Sequence, residues 1–213
     1  AISMYTHTGT HIDALNHFGL HGEIWNGFKA DEHLGDRGWR KAGVETFPPI
    51  IARGVLVDVA AFKGVRSLPD SYGITVADLQ GALRAQQLAL SRGDVVLIRG
   101  GRMTAWPDVD RYVLNQPGLS FAAAKWLAED RRGMAIGGDN LSLEHFPIEP
   151  GRTWVPVHTY LLAQRGIPII EVVNLEELSQ ARLFEFAFVA ASLKFRGASA
   201  APFRPIAMPL TKR

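Results

Sequence analysis

Three histidines and an aspartate are crowded into eleven residues near the start of this 213-residue chain: His7-Thr8-Gly9-Thr10-His11-Ile12-Asp13-Ala14-Leu15-Asn16-His17. Divalent ions of the zinc, manganese and iron type favour neutral imidazole and carboxylate ligands. A hydrolytic centre needs several of these converging while one position stays open to water. A lone histidine is more often structural or solvated, but four of the seven histidines fall between positions 7 and 21. Neither solubility nor core packing asks for such a cluster, so the run points to a divalent metal.

His7, Gly9, His11 and Asp13 are all odd-numbered and share one face of an extended strand. A flat strand would separate His7 from His11 by roughly 13 Å, at about 3.3 Å per residue, which is too far to share an ion. Gly9 lies midway and tolerates backbone angles other residues avoid, so a bend or bulge is expected there. A helix is disfavoured by the β-branched Thr8, Thr10 and Ile12.

A second candidate cluster lies far along the chain. His158 opens the run 158–166, read as a short helix stopped by Gly166, and the strand Ile167-Pro168-Ile169-Ile170-Glu171-Val172-Val173 follows. Glu171 interrupts an apolar strand. A buried carboxylate is costly unless paired, and a metal ion is one of the few partners that offset the cost; a salt bridge to an arginine is the other reading.

The opening run resembles the signature of the metal-dependent cyclase family, the group containing bacterial kynurenine formamidase and isatin hydrolase: His-x-Gly-Thr-His-x-Asp-x-Pro-x-His. Every fixed position matches except one, where Leu15 replaces the proline that would stiffen the turn delivering His17. The family also has a histidine, a short helix ending in glycine, and a strand glutamate followed by Asn-Leu, as in Asn174-Leu175 here. The resemblance implies His7 and His11 as ligands of one ion, Asp13 and Glu171 as carboxylates able to bridge two, His158 as a ligand of the second, and His17 as proton donor and acceptor. It implies a swivelling β/β/α fold, a central barrel-like mixed sheet flanked by helices, with zinc or manganese as one or two ions. It also implies an oligomeric enzyme and a segment preceding the motif, so this chain is expected to begin inside its domain.

The elements that must hold these residues read as an α/β domain spanning 1–213. Ile50–Val59 and Val95–Ile98 are β-branched apolar runs expected to form buried strands. Asp58 within the first reads as a structural carboxylate. Thr75 and Asp78 form a capping box for a helix to about Leu90, and Ser120 caps a packing helix from Phe121 to Arg132. A short strand from Met134 runs into a polar turn at Asp139 to Ser142. Phe184 to Leu193 reads as a long strand entering a core, and the resemblance implies a final strand such as Pro205 to Met208. The arginines of Arg99-Gly100-Gly101-Arg102 suit a carboxylate, or simply a surface turn. Residues 18–49 show no sustained period and read as a long loop region in which Phe18, Trp25, Phe28 and Trp39 are candidates to line a pocket. Asp139 and Ser142, by the resemblance, are candidate pocket residues, although Asp139 alone reads as a turn residue bonding its own backbone. His21 and His33 lie outside the matched pattern.

Net charge is +2 with scattered basic residues, so the pI of about 9.1 argues for a solvated basic face and against a nucleic-acid partner. There is no cysteine, hence no disulfide or thiolate ligand. No apolar run reaches bilayer length and the chain does not open on a secretory signal, so no membrane association and a cytoplasmic location are expected.

A divalent ion lowers the pKa of bound water from about 15.7 toward 7, while an amide nitrogen leaves only when protonated, the task expected of His17. The expected activity is therefore hydrolysis of an amide, formamide or lactam bond of a small aryl substrate, arylformamidase-like. The alternatives are an isatin hydrolase-like lactam hydrolase with a single manganese, a non-catalytic binding protein on the same scaffold, and a purely structural ion site.

Overall fold

The structure, a computed structural model, describes residues 1, 3–130, 133–149 and 153–210. Eight strands form one curled half-barrel sheet: β1 (His11–Asp13), β2 (Ile50–Asp58), β3 (Val95–Arg99), β4 (Ala135–Gly138), β5 (Ile169–Glu171), β6 (Glu185–Ala190), β7 (Ala200–Pro202) and β8 (Ile206–Pro209). Their spatial order is β7-β1-β5-β4-β3-β2-β6-β8. The central four, β2, β3, β4 and β5, run parallel; β1 and β7 on one flank and β6 and β8 on the other are antiparallel additions. Helix α1 (Val76–Ala85) crosses between β2 and β3, and α2 (Phe121–Glu129) between β3 and β4.

The parallel strands are apolar on both faces because both are covered. Val55, Val57, Val96, Ile98, Ile136 and Ile169 meet Leu79, Leu83 and Leu127 of the two helices. Leu56, Val95, Leu97 and Ile170 point the other way, into a second core with Ile12, Phe186 and Phe188 enclosed by the curl of the sheet. Each of those fully buried phenylalanines contributes roughly 1.5–3 kcal/mol. Gly54 makes room for one of them: a Cβ there would sit 2.2 Å from the Phe186 ring.

Both expected caps are present. The Thr75 and Asp78 side chains each accept the other's backbone N–H, and the Ser120 hydroxyl accepts the Ala123 N–H at 3.3 Å. Three boundaries differ from expectation. Helix α1 stops at Ala85 because Gln87 turns left-handed at φ 58°, so Leu90 lies beyond it. Strand β5 is confined to Ile169–Glu171, with Pro168 before it lacking an N–H and Val172 after it at φ 56°. After Pro156–His158 the chain widens at Thr159–Gln164 into a π-helical turn, with Arg165 N–H bonded to the Tyr160 carbonyl at 3.0 Å. The expected end of α2 at Arg132 lies outside the described residues. Residues 18–49 carry two short hairpins, Glu23–Ile24 with Phe28–Lys29 and Leu34–Gly35 with Gly38–Trp39, and single helical turns. Among the described residues no helix is long and apolar enough to cross a membrane.

Candidate metal centre

Strand β1 carries the first half of the site. Ile12 points into the core behind the sheet, so His11 and Asp13 emerge together on the opposite face. Strand β5 lies alongside in antiparallel register with His11 opposite Glu171, and Ile170 repeats the inward turn of Ile12. Two residues 160 positions apart are thereby set side by side by backbone pairing alone. Before β1 the chain bends at Gly9, φ 61°, as the spacing requires, and the His7 and His11 rings lie 5.2 Å apart. The turn after β1, closed by His17 N–H on the Ala14 carbonyl at 3.0 Å, brings His17 back over His7, with ring centroids 4.3 Å apart.

His158 completes the cluster from the turn preceding β5. Its Nε2 lies 3.0 Å from Glu171 Oε1 and 3.7 Å from Asp13 Oδ2. His11 Nε2 lies 3.2 Å from Glu171 Oε2 and 3.4 Å from Asp13 Oδ1, which is also 3.3 Å from His7 Nε2. Ligand atoms of His11, Asp13 and Glu171 lie within 4.8 Å of one another, as do those of His7, Asp13 and His17. The structure thus gathers His7, His11, Asp13, His17, His158 and Glu171 at one place. Glu171 faces histidines; Arg99 is committed elsewhere, to Asp58 and Glu176, and Arg102 to Asp70.

The donor set fits a cation. His11 Nε2, both Asp13 oxygens and Glu171 Oε1 are enclosed yet make no hydrogen bond. They are near one another without being aimed at one another, so their lone pairs converge on shared space. Leaving such atoms unpaired costs about 1–3 kcal/mol each, more when charged. Each outer nitrogen is meanwhile anchored: His11 Nδ1 is 2.8 Å from the Gly9 carbonyl and His158 Nδ1 is 2.8 Å from Glu144 Oε1, which leaves both Nε2 atoms facing the cluster.

Burial dominates the electrostatics. It pushes the Asp13 carboxyl well above the usual range, reinforced by the Glu171 charge. Burial acts the same way on Glu171, but close His11 and His158 outweigh it and hold that carboxyl low. Burial would lower His158; its contacts with Glu144 and Glu171 overcome this and carry it up to about 10, and His11 is raised by Glu171 and Asp13 against the same opposition. His7 falls to about 4, through burial and then His11, and His17 to about 3, through burial and then His7 and His158. Positive charge on His11 and His158 is thus favoured beside the Glu171 carboxylate, at the place where an ion would supply it.

Glu144 was not singled out by sequence reasoning. It is buried, and besides the His158 ring it accepts the backbone N–H groups of Val157 at 3.2 Å and His158 at 3.1 Å. Its only sequence signal is an acid beside His145 in a polar turn.

The cluster forms the floor of a cavity of about 780 Å³ walled by Phe18, Leu114, Phe146 and Trp154 among others. Of the candidate pocket residues, Phe18 and Ser142 line it. Trp25 and Asp139 do not. Trp25 packs against Gly166, where a Cβ would be 2.4 Å from the indole. Asp139 accepts the backbone N–H groups of Gly100, Gly101 and Arg102, tying the loop after β3 to β4 instead of bonding its own turn. Phe28 packs edge-on against His33, and Trp39 borders a separate polar surface hollow.

A family model described as "Putative cyclase" matches residues 1–145. The chain belongs to the cyclase family. A crystal structure described as a novel cyclase is 33% identical, with a TM-score of 0.89 over 98% of this chain and 70% of that one. A potential metal-dependent hydrolase with cyclase activity is 26% identical, with a TM-score of 0.66 over 100% of this chain and 83% of that one. Isatin hydrolase A from Ralstonia solanacearum, at 22% identity, shares the fold of this cyclase-family chain, with a TM-score of 0.73 over 95% of it and 72% of the relative. Among curated proteins nothing matches.

Proposed function

We propose that this chain is a metal-dependent hydrolase that opens an amide, formamide or lactam bond of a small aryl substrate, using one or two zinc or manganese ions. The reading is carried by the enclosed, unpartnered ligand atoms of His11 and Glu171 on the floor of an apolar cavity, with those of Asp13 buried beside them. A cavity of about 780 Å³ suits a small organic compound. The family membership and two structural neighbours described as hydrolases agree with it.

His11, Asp13, Glu171 and His158 would hold the metal, with His7 beside them. Bound there, a divalent ion supplies water activated near neutral pH and a Lewis acid for the scissile carbonyl. The walls exclude bulk water and hold the aryl ring: Phe18, whose centroid is 5.2 Å from the His158 ring, stands at the edge of the ligand cluster. His17 would take the proton given up by the attacking water and return it to the departing nitrogen. Its Nδ1 lies 3.2 Å from His7 Nε2, which leaves Nε2 for the substrate. His17 is also within ligand reach of His7 and Asp13, which favours a second reading in which it binds metal.

Metal analysis coupled to a panel of formanilides, lactams and aryl esters tests the proposal. Turnover that disappears on chelation and returns with zinc or manganese is expected. A fully metal-loaded protein inert across the panel would overturn the hydrolase reading in favour of a binding protein. Chelation that unfolds the chain, with coordination saturated by protein ligands, would favour a structural ion.

A further inference from the structure

Resting on that reading, we infer that Gln116 selects substrates bearing a neutral hydrogen-bond acceptor on the ring, remote from the bond that breaks. Gln116 is only 3% exposed and lines the cavity. Its backbone carbonyl accepts the Phe146 N–H at 2.9 Å, and its side-chain Oε1 accepts the Leu141 N–H at 2.8 Å. The Leu141 bond settles which end of the carboxamide is oxygen, because only the oxygen accepts. Nε2 is therefore fixed in place as a donor. It has no protein partner among the described residues, and unlike the orphan atoms of the ligand cluster it is not sealed in.

The surroundings give that donor weight. Of the wall residues, Leu114, Phe146 and Val155 are apolar, Asn115 is polar but exposed, and the Ser142 hydroxyl is turned away, donating to the Glu144 carbonyl at 3.1 Å. The segment holding Gln116 is coupled to the ligand strand, since the carbonyl of Asn140, next to Leu141, accepts the N–H of Val172, next to Glu171, at 3.1 Å. A bound ring must either present an acceptor to Nε2 or cover it and leave it unpaired. An uncharged carboxamide donor matches a carbonyl or ether oxygen.

The test compares 4-acetylformanilide with 4-isopropylformanilide, which have nearly the same shape but differ in having or lacking the ring acceptor. Wild type, Gln116→Leu and Gln116→Glu are measured. The glutamate keeps an acceptor for Leu141 but loses the donor, and serves if the leucine variant does not fold. Binding is read by calorimetry on chelator-treated protein, which cannot cleave either probe, and KM and kcat on the metal-loaded enzyme. Wild type is expected to prefer the acetyl probe, with both variants losing that preference by roughly threefold to tenfold, the effect of one neutral hydrogen bond. The loss should appear in Kd and KM, with the kcat ratio and metal content unchanged. An unchanged preference in the variants, or no binding of the acetyl probe to wild type, overturns the role of Gln116. Binding with the expected preference but no turnover by the loaded protein overturns the hydrolase reading and leaves the Gln116 assignment standing.

Discussion

Glu144 grips His158 twice with one oxygen: Oε1 accepts the backbone N–H at 3.1 Å and lies 2.8 Å from the ring Nδ1. Backbone and ring are fixed by the same carboxylate, so the direction of Nε2 is set before any ion arrives. The second oxygen, on the Val157 N–H at 3.2 Å, prevents the carboxylate from rotating away. Carboxylates behind metal-binding imidazoles both orient the ring and raise its basicity.

Glu144→Gln should therefore fold yet bind metal more weakly, by about 10- to 100-fold. The amide can face either the ring or the Val157 N–H with its oxygen, but not both. Competition against a coloured chelator measures the affinity. Wild-type affinity in a folded Glu144→Gln protein would show that the ring needs no such support.

His17→Ala is expected to retain metal and lose roughly 10²- to 10⁴-fold in kcat, the usual range for a positioned acid-base group. Metal content by elemental analysis is the deciding companion measurement. Loss of an ion along with activity would assign His17 to the His7 and Asp13 ligand group instead.

The gathering of the opening cluster was legible because its side chains are neighbours in sequence, and that of Glu171 because a carboxylate in an apolar strand needs a reason. The parallel core strands and both helix caps were legible for similarly local reasons. Glu144 was not: it earns its place only through His158, fourteen residues on and across a loop. Trp25 was placed near the pocket on residue type and Asp139 by the resemblance, yet the indole fills space above Gly166 and the carboxylate serves a loop 37 to 39 residues away. That loop is near only because β3 and β4 pair in parallel, a long-range fact no local pattern encodes. The π-helical turn after His158 escaped for the same reason, since side-chain period does not distinguish it from a final helical turn.

Asp78 predicts a pH dependence. Burial alone would raise its carboxyl, but the Lys63 ammonium at 2.5 Å, the Thr75 N–H and hydroxyl, and the Tyr72 hydroxyl outweigh it and hold it below the usual value. A carboxyl depressed by folding adds stability that is present above its unfolded pKa of about 3.9 and vanishes as pH falls through the lower folded value. Asp78→Asn should cost about 1 kcal/mol near neutrality, the scale of a helix cap. In denaturant melts the gap to wild type should close below about pH 3.9. A gap that stays constant through that range would show that the lost interaction is not carried by the charge.

Gly118→Ala tests whether the support behind His158 is rigid. A Cβ at Gly118 would lie 2.4 Å from the Glu144 carbonyl carbon and oxygen and 2.6 Å from the Leu143 oxygen, all backbone atoms with no rotamer to yield. The neighbouring Leu119 N–H is bonded to that Leu143 carbonyl at 2.8 Å, so the two segments cannot separate without breaking the pairing. The strain should fall on Glu144 and pass to His158, lowering stability by roughly 1–3 kcal/mol and metal affinity with it. Gly64→Ala is the matched control: its φ of 69° penalises a side chain by roughly 1–2 kcal/mol, but a Cβ there meets nothing within 4 Å and lies away from the cluster. Both variants should melt earlier than wild type, and only Gly118→Ala should release metal more readily to a chelator. Equal metal retention in the two would mean that Glu144 absorbs the displacement without moving the ring.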